Sequence, residues 1–158
     1  MTLVAAIGET PLVRMAVRDD LPAIVALITV EDSVVEPASV ELNARHLRAF
    51  EAIERDPRNE LLVLESHDGL VLACLQVTYI PGLGRAAAER AHLEALRVRV
   101  DHRGLGLGTL LVRHAIERAR ARGCALVQLT SNKQRDRAHS FYSSLGFVAS
   151  HEGFKLPI

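Results

Sequence analysis

The segment Arg103-Gly-Leu-Gly-Leu-Gly108 constrains this chain more than any other feature. Ahead of it, His92 to Val100 (HLEALRVRV) alternates apolar and polar residues, the pattern of a strand. Behind it, Leu107, Leu110, Leu111, Ala115 and Ala119 recur at helical spacing with Arg113, Glu117 and Arg120 outward, and Gly123 closes the helix. A strand therefore passes straight into a helix through glycines at every second position. Such a loop bends sharply and lets a ligand approach the main chain. The first N–H groups of the helix lack an intrahelical partner and face beyond the helix start, where the dipole favours an anion. The segment reads as a cradle for phosphate or pyrophosphate, the other reading being a glycine-rich connection with no ligand.

Two familiar phosphate loops are excluded. A Walker A loop needs GxxxxGK[ST], and no Lys follows here. A dinucleotide fingerprint needs GxGxxG, and Thr109 or Leu111 stands where the last glycine would be.

The remaining elements follow from periodicity and punctuation. Leu12 to Met15 predicts a first strand. Leu21, Ile24, Val25 and Ile28 share one helix face, behind Asp19 and Asp20 and with Pro22 in the first turn. A polar stretch from Thr29 to Pro37 carries Glu31, Asp32 and Glu36. Ser39 then reads as the N-cap of a second helix marked by Leu47, Phe50 and Ile53 and ending near Asp56-Pro57. Glu60 to Ser66 and Leu70 to Ile80 predict strands joined by a hairpin at His67-Asp68-Gly69. Cys124 to Thr130 predicts a short buried strand. Ala138, Phe141, Tyr142 and Leu145 mark a last short helix closed by Gly146, and Gly153 to Ile158 predicts an edge strand. The order β-α-α-β-β-β-α-β-α-β predicts one α/β domain over residues 1–158, with a mixed sheet of six or seven strands and helices on both faces.

Composition removes several function classes. Lys+Arg and Asp+Glu number 19 each, which argues against a nucleic-acid partner held by a uniform positive field. No apolar stretch approaches the ~20 residues that span a bilayer. The apolar run Leu3 to Ile7 is too short for a signal peptide. Cys74 and Cys124 lie far apart without ligand spacing, so no metal site is expected and a reducing cytoplasm is. The seven histidines show no ligand spacing, and His151-Glu152 lacks the second His of HExxH.

Arg103, Gly106 and Gly108 form the pattern R-x-x-G-x-G, and the later segment reads Asn132, then Ala138-His-Ser-Phe141-Tyr142-Ser-Ser-Leu145-Gly146-Phe147. Together with Glu94 inside the preceding strand, these residues resemble the GNAT superfamily of N-acetyltransferases. The likeness is specific from about Leu93 to Phe147, with Val100 where many members have Pro, and only in outline over the first 60 residues. The resemblance implies a GNAT-like, mostly antiparallel mixed sheet, acetyl-CoA as co-substrate, an amine as acceptor and direct attack of the amine on the thioester. A homodimer is usual among such relatives.

The resemblance also implies roles. The loop and first helical turn, Arg103, Gly104, Leu105, Gly106, Leu107, Gly108 and Thr109, would hold the pyrophosphate. Backbone groups of Leu96, Arg97 and Val98 would meet the acyl and pantetheine part, and Asn132 the pantetheine arm; a turn Asn is the plainer reading. Glu94 would be the base or position a water, on a strand face shared with Leu96 and Val98; a surface Glu is the alternative. Tyr142 would protonate the leaving thiolate; a core Tyr is the alternative. Glu31, Asp32 and Glu36 would draw a cationic acceptor or be a solvated loop. Two rivals keep the fold and change the function: a non-catalytic acyl-CoA sensor, and a protein N-terminal acetyltransferase.

Overall fold

A computed structural model describes residues 10–158; the run Leu3 to Ile7 lies outside them. Five strands run β1 (Leu12–Met15), β2 (Asn59–Glu65), β3 (Val71–Ile80), β4 (Arg90–Val98) and β5 (Leu126–Leu129), and they pair in that same order. The first four are antiparallel, and β4 and β5 are parallel. Four helices are α1 (Leu21–Thr29), α2 (Ala44–Arg55), α3 (Leu107–Arg122) and α4 (Asp136–Ser144).

The runs Leu61 to Leu64 of β2 and Val71 to Leu75 of β3 are apolar because both of their faces are covered. Leu62, Leu64, Leu72 and Leu75 pack with Leu107, Leu111 and Ala115 of α3. Leu61, Val63, Val71 and Cys74 pack with Leu21 and Ile24 of α1 and Phe50 of α2. Full burial of each such side chain stabilises by roughly 1.5–3 kcal/mol. Burial also pushes the Cys74 thiol up to about 12.

Two expectations are corrected. Ser39 does not cap the second helix; it lies in a short 3-10 turn, Pro37–Ser39. Asn43 caps α2 instead, its Oδ1 accepting from the N–H groups of Arg45 and His46 at 2.9 and 3.2 Å, while its own N–H donates to His46 Nδ1. A reciprocal box satisfies more orphan groups than a lone serine. The sheet has five strands rather than six or seven among the described residues, because Gly153 to Ile158 forms no strand. Phe154, Leu156 and Ile158 are exposed, with no surface among the described residues that buries them.

Candidate active site

The glycine loop enters α3 as expected. Gly104 and Gly106 have φ of +80° and +83°, a region that costs other residues about 1–2 kcal/mol, and a Cβ at either would meet nothing within 4 Å. The intervening Leu105 and Leu107 pack into the core and pin the loop, with Leu107 buried. The first main-chain bond of the helix is Leu110 N–H to Gly106 C=O at 3.0 Å, so the earlier N–H groups, Thr109 included, are left for another acceptor. No acidic side chain occupies the first turn of α3 to compete for them. Gly108 is packed differently: a Cβ there would lie 3.4 Å from the Phe141 ring and 3.6 Å from Val98.

Arg103 turns away from those N–H groups. Its Nε donates to Val98 C=O at 3.2 Å, one terminal nitrogen donates to Glu31 C=O, and the other lies 3.8 Å from Asp32. Arg97 pairs with Glu31 at 3.0 Å and Arg99 with Glu36 at 3.6 Å. The acidic stretch between α1 and α2 is thus matched, residue for residue, by arginines of β4 and the loop. Asp32 and Glu36 stay exposed, so the stretch is a solvated loop whose carboxylates already have arginine partners.

β4 and β5 pair only from Arg90↔Leu126 to Leu93↔Leu129, after which β4 continues beside β3 alone. Splayed strands leave a cleft lined by Leu93, Glu94, Ala95, Leu96, Arg97, Thr130, Ser131, Arg135 and Tyr142. The backbone of Glu94 to Val98 has no strand partner on that side. Among the described residues, two buried side-chain polar atoms lack any partner, Arg97 Nε and Ser131 Oγ, and both residues line this cleft. An orphaned buried group costs about 1–3 kcal/mol unless a ligand completes it. The open glycine cradle and these two atoms together fit a ligand with a diphosphate at one end and a polar chain at the other.

The strand face assigned to Glu94 is corrected. Cys74 and Gln76 of β3 oppose Arg97 and Glu94, so β4 carries one extra residue between them. Ala95 takes the left-handed backbone that such a bulge demands, with φ of +52°. The extra residue inverts the alternation. Leu96 and Val98 stay with Leu93 on the α3 side, whereas Glu94 and Arg97 face the α1 side with Cys74 and Gln76. Glu94 is half-exposed, and its Oε1 lies 4.0 Å from His92 Nε2.

Tyr142 enters the cleft from α4. Ala138, Phe141, Tyr142 and Leu145 are the half-buried stripe of that helix, and the Tyr142 ring packs edge-on against Phe141 and Phe147. Burial raises the phenol above its ordinary value, with Arg135 and Arg97 partly opposing it. Asn132 holds the turn into α4: its Oδ1 accepts from Gln134 N–H at 3.0 Å. Sequence reasoning missed Ser131 and Arg135. The signal was their place between β5 and α4, next to Asn132, where no periodicity singles out a side chain.

Comparison with known proteins agrees with this fold. The model of the Acetyltransferase (GNAT) family matches residues 27–147. A transcriptional regulator from Bacillus halodurans C-125 is 39% identical with a TM-score of 0.84, covering 94% of this chain and 99% of that one. A protein of Agrobacterium tumefaciens str. C58 assigned to the acetyltransferases is 31% identical with a TM-score of 0.80, covering 93% and 99%. An uncharacterized N-acetyltransferase of Methanocaldococcus jannaschii is 41% identical over 59 residues, which is 37% of this chain and 26% of that protein. The chain belongs to the GNAT family of acetyltransferases.

Proposed function

We propose that this protein transfers an acetyl group from acetyl-CoA to a primary amine of a small molecule or peptide, by direct attack. The observation that supports this reading is a cleft lined by both Glu94 and Tyr142, together with an open glycine loop. Gly104 to Thr109 would hold the pyrophosphate through main-chain N–H groups, and Ser131 and the free edge of β4 would hold the pantetheine arm. The co-substrate supplies an activated acyl group.

The residues of this chain supply the rest. Glu94, on the α1 side of β4, takes a proton from the incoming amine, directly or through water. Leu96, Arg97 and Val98 offer main-chain N–H groups to the acyl oxygen, where negative charge develops. Tyr142 reaches the cleft from the α3 side. Burial keeps its phenol protonated, so it gives a proton to the departing sulfur, and Arg97 and Arg135 offset the charge left behind.

The test is release of free thiol from acetyl-CoA over a panel of amines, amino acids and peptides. Turnover with at least one acceptor is expected. Tight acetyl-CoA binding with no turnover across the panel would overturn catalysis and leave the sensor reading, toward which the regulator description of the Bacillus relative points. Preference for peptide N-termini would select the N-terminal acetyltransferase. Gly106→Val probes the loop: its Cβ would meet nothing within 4 Å, so the variant carries only the local backbone strain of φ +83°, about 1–2 kcal/mol, while the branched side chain covers the cradle. Calorimetric titration should show loss of acetyl-CoA binding, and unchanged affinity in a folded variant would sink the assignment.

A further inference from the structure

A half-exposed carboxylate that is free to rotate spends little time aimed at an incoming amine, so a base in the position of Glu94 gains from a group that holds it. Among the described residues, one ionisable side chain comes within 4.0 Å of the Glu94 carboxylate, and it is His92. The two differ in burial: the His92 side chain is 19% exposed and that of Glu94 54%. A mostly buried ring therefore stands next to a mobile acid.

The sheet places that ring. Leu93 packs on the α3 side, so its neighbours His92 and Glu94, both ahead of the extra residue at Ala95, share the α1 side. Register sets Thr78 of β3 and Gln128 of β5 on either side of His92. Thr78 gives its hydroxyl proton to Asn59 at 2.8 Å. Gln128 turns to the ring instead, and its Nε2 donates to His92 Nδ1 at 3.3 Å. In a neutral imidazole, a nitrogen that accepts leaves the other to carry the proton. His92 Nε2 therefore bears the N–H, and Nε2 is the atom turned toward Glu94.

We infer that His92 is the positioning residue of Glu94, and that Gln128 is the side chain that seats His92. At 4.0 Å the ring and the carboxylate are too far apart for a direct hydrogen bond. The exposed carboxylate closes the gap by turning about its own side-chain bonds, or a water bridges it. In either form the Nε2–H donates to the carboxylate and limits it to orientations that face the cleft it lines. Other polar groups on this face do not compete for it: Arg97 is taken by Glu31 at 3.0 Å, and Gln76, opposite Glu94, carries no charge. The chain Gln128–His92–Glu94 runs from the half of β4 that β5 holds to the half that it leaves, so the rigid part of the sheet orients a group in the open part. The inference rests on Glu94 as the base and does not depend on which amine is the acceptor.

The test is a double-mutant cycle read by free-thiol release from acetyl-CoA, with the amine of the panel that turns over fastest. His92→Phe keeps a ring and removes both nitrogens. Its kcat should fall about fivefold while the acceptor KM and the thermal midpoint hold. His92→Gln returns an amide N–H near the place of Nε2 and should recover at least about half of the wild-type kcat. Gln128→Leu should lower kcat about twofold. In a Glu94→Gln background, His92→Phe should cost nothing further, because no base is left to position. The same fivefold loss in that background overturns the proposal and leaves Glu94 as the base. So does a loss in His92→Gln as large as in His92→Phe, a loss expressed in KM, or an unchanged kcat in His92→Phe or Gln128→Leu. Wild-type turnover in Glu94→Gln, or no turnover with any amine, removes the base itself and this proposal with it.

Discussion

The chain has two tyrosines, and they occupy regions built on opposite principles. Tyr79 sits on β3 where the sheet is continuous. Its ring is buried, its hydroxyl donates to Glu60 at 3.0 Å, and Arg118 holds Glu60 with two bonds of 2.7 Å. Arg122 lies over the ring, 4.2 Å from its centre, and burial pushes the phenol up to about 12. Tyr142 sits where the sheet has come apart. Its ring is held by Phe141 and Phe147, but its hydroxyl has no hydrogen-bond partner among the described residues. Both phenols are kept neutral by burial. Only the second has an unpaired hydroxyl beside a cleft, so a satisfied network marks structure and an unsatisfied one marks the candidate site.

The sharpest way to break this comparison is to remove each hydroxyl in turn. Tyr142→Phe should lower turnover about 10²-fold or more, near 2.7 kcal/mol of barrier, while the thermal midpoint and acetyl-CoA affinity stay put. An acid must be protonated to act, and burial raises this phenol. The alkaline limb of wild-type turnover should therefore lie above the ordinary tyrosine value near pH 10. Full activity in Tyr142→Phe would remove the residue from the mechanism and favour sensing.

Glu94→Gln tests the other side of the same cleft. Turnover should fall by about 10- to 100-fold, less than for Tyr142, because a half-exposed base is partly replaced by water. The deficit should shrink at high pH, where free amine is abundant. A variant that keeps the acidic limb of the wild-type pH–rate profile would clear Glu94 of the role.

Tyr79→Phe should behave oppositely. Loss of a hydrogen bond to a charged partner costs about 1.5 kcal/mol, read as a thermal midpoint lower by several degrees. Turnover per folded molecule should be unchanged. A matching fall in turnover would mean that the two regions are coupled.

The smallest effect concerns salt. Because Glu31, Asp32 and Glu36 already face Arg97, Arg103 and Arg99, a cationic acceptor meets little net charge there. KM for such an acceptor should change less than about twofold between low and physiological ionic strength. A steep rise would show that the pairs open and the carboxylates act as a lure.

Much of the molecule was legible because local rules act alone where nothing competes with them. Leu12 to Met15 forms the predicted strand, Gly123 ends α3 in the left-handed conformation, and the half-buried stripe of α4 is the one read from its spacing. The glycine loop and the family likeness are carried by short motifs within single segments. Ser39 misled because two cap residues lay four apart, and the choice went to the one with a reciprocal partner at His46. Gly153 to Ile158 misled because alternation reports what a segment can pair with, not whether a partner lies within reach.

By itself, then, the amino-acid order determined most element types, the glycine loop between strand and helix, and the candidacy of Glu94 and Tyr142. These depend on residue type and short-range spacing, which are written along the chain. Tertiary structure alone decided how the candidate site is arranged. One extra residue at Ala95 turns Glu94 to the face opposite Leu96 and Val98, and alternation cannot reveal a bulge that arises only when β4 is laid against β3. The pairing of the acidic stretch with Arg97, Arg99 and Arg103 joins residues more than 60 positions apart, and the splay beyond Leu93 exists only because β5 ends at Leu129. Contacts between distant segments depend on how whole elements pack, and no local window contains that information.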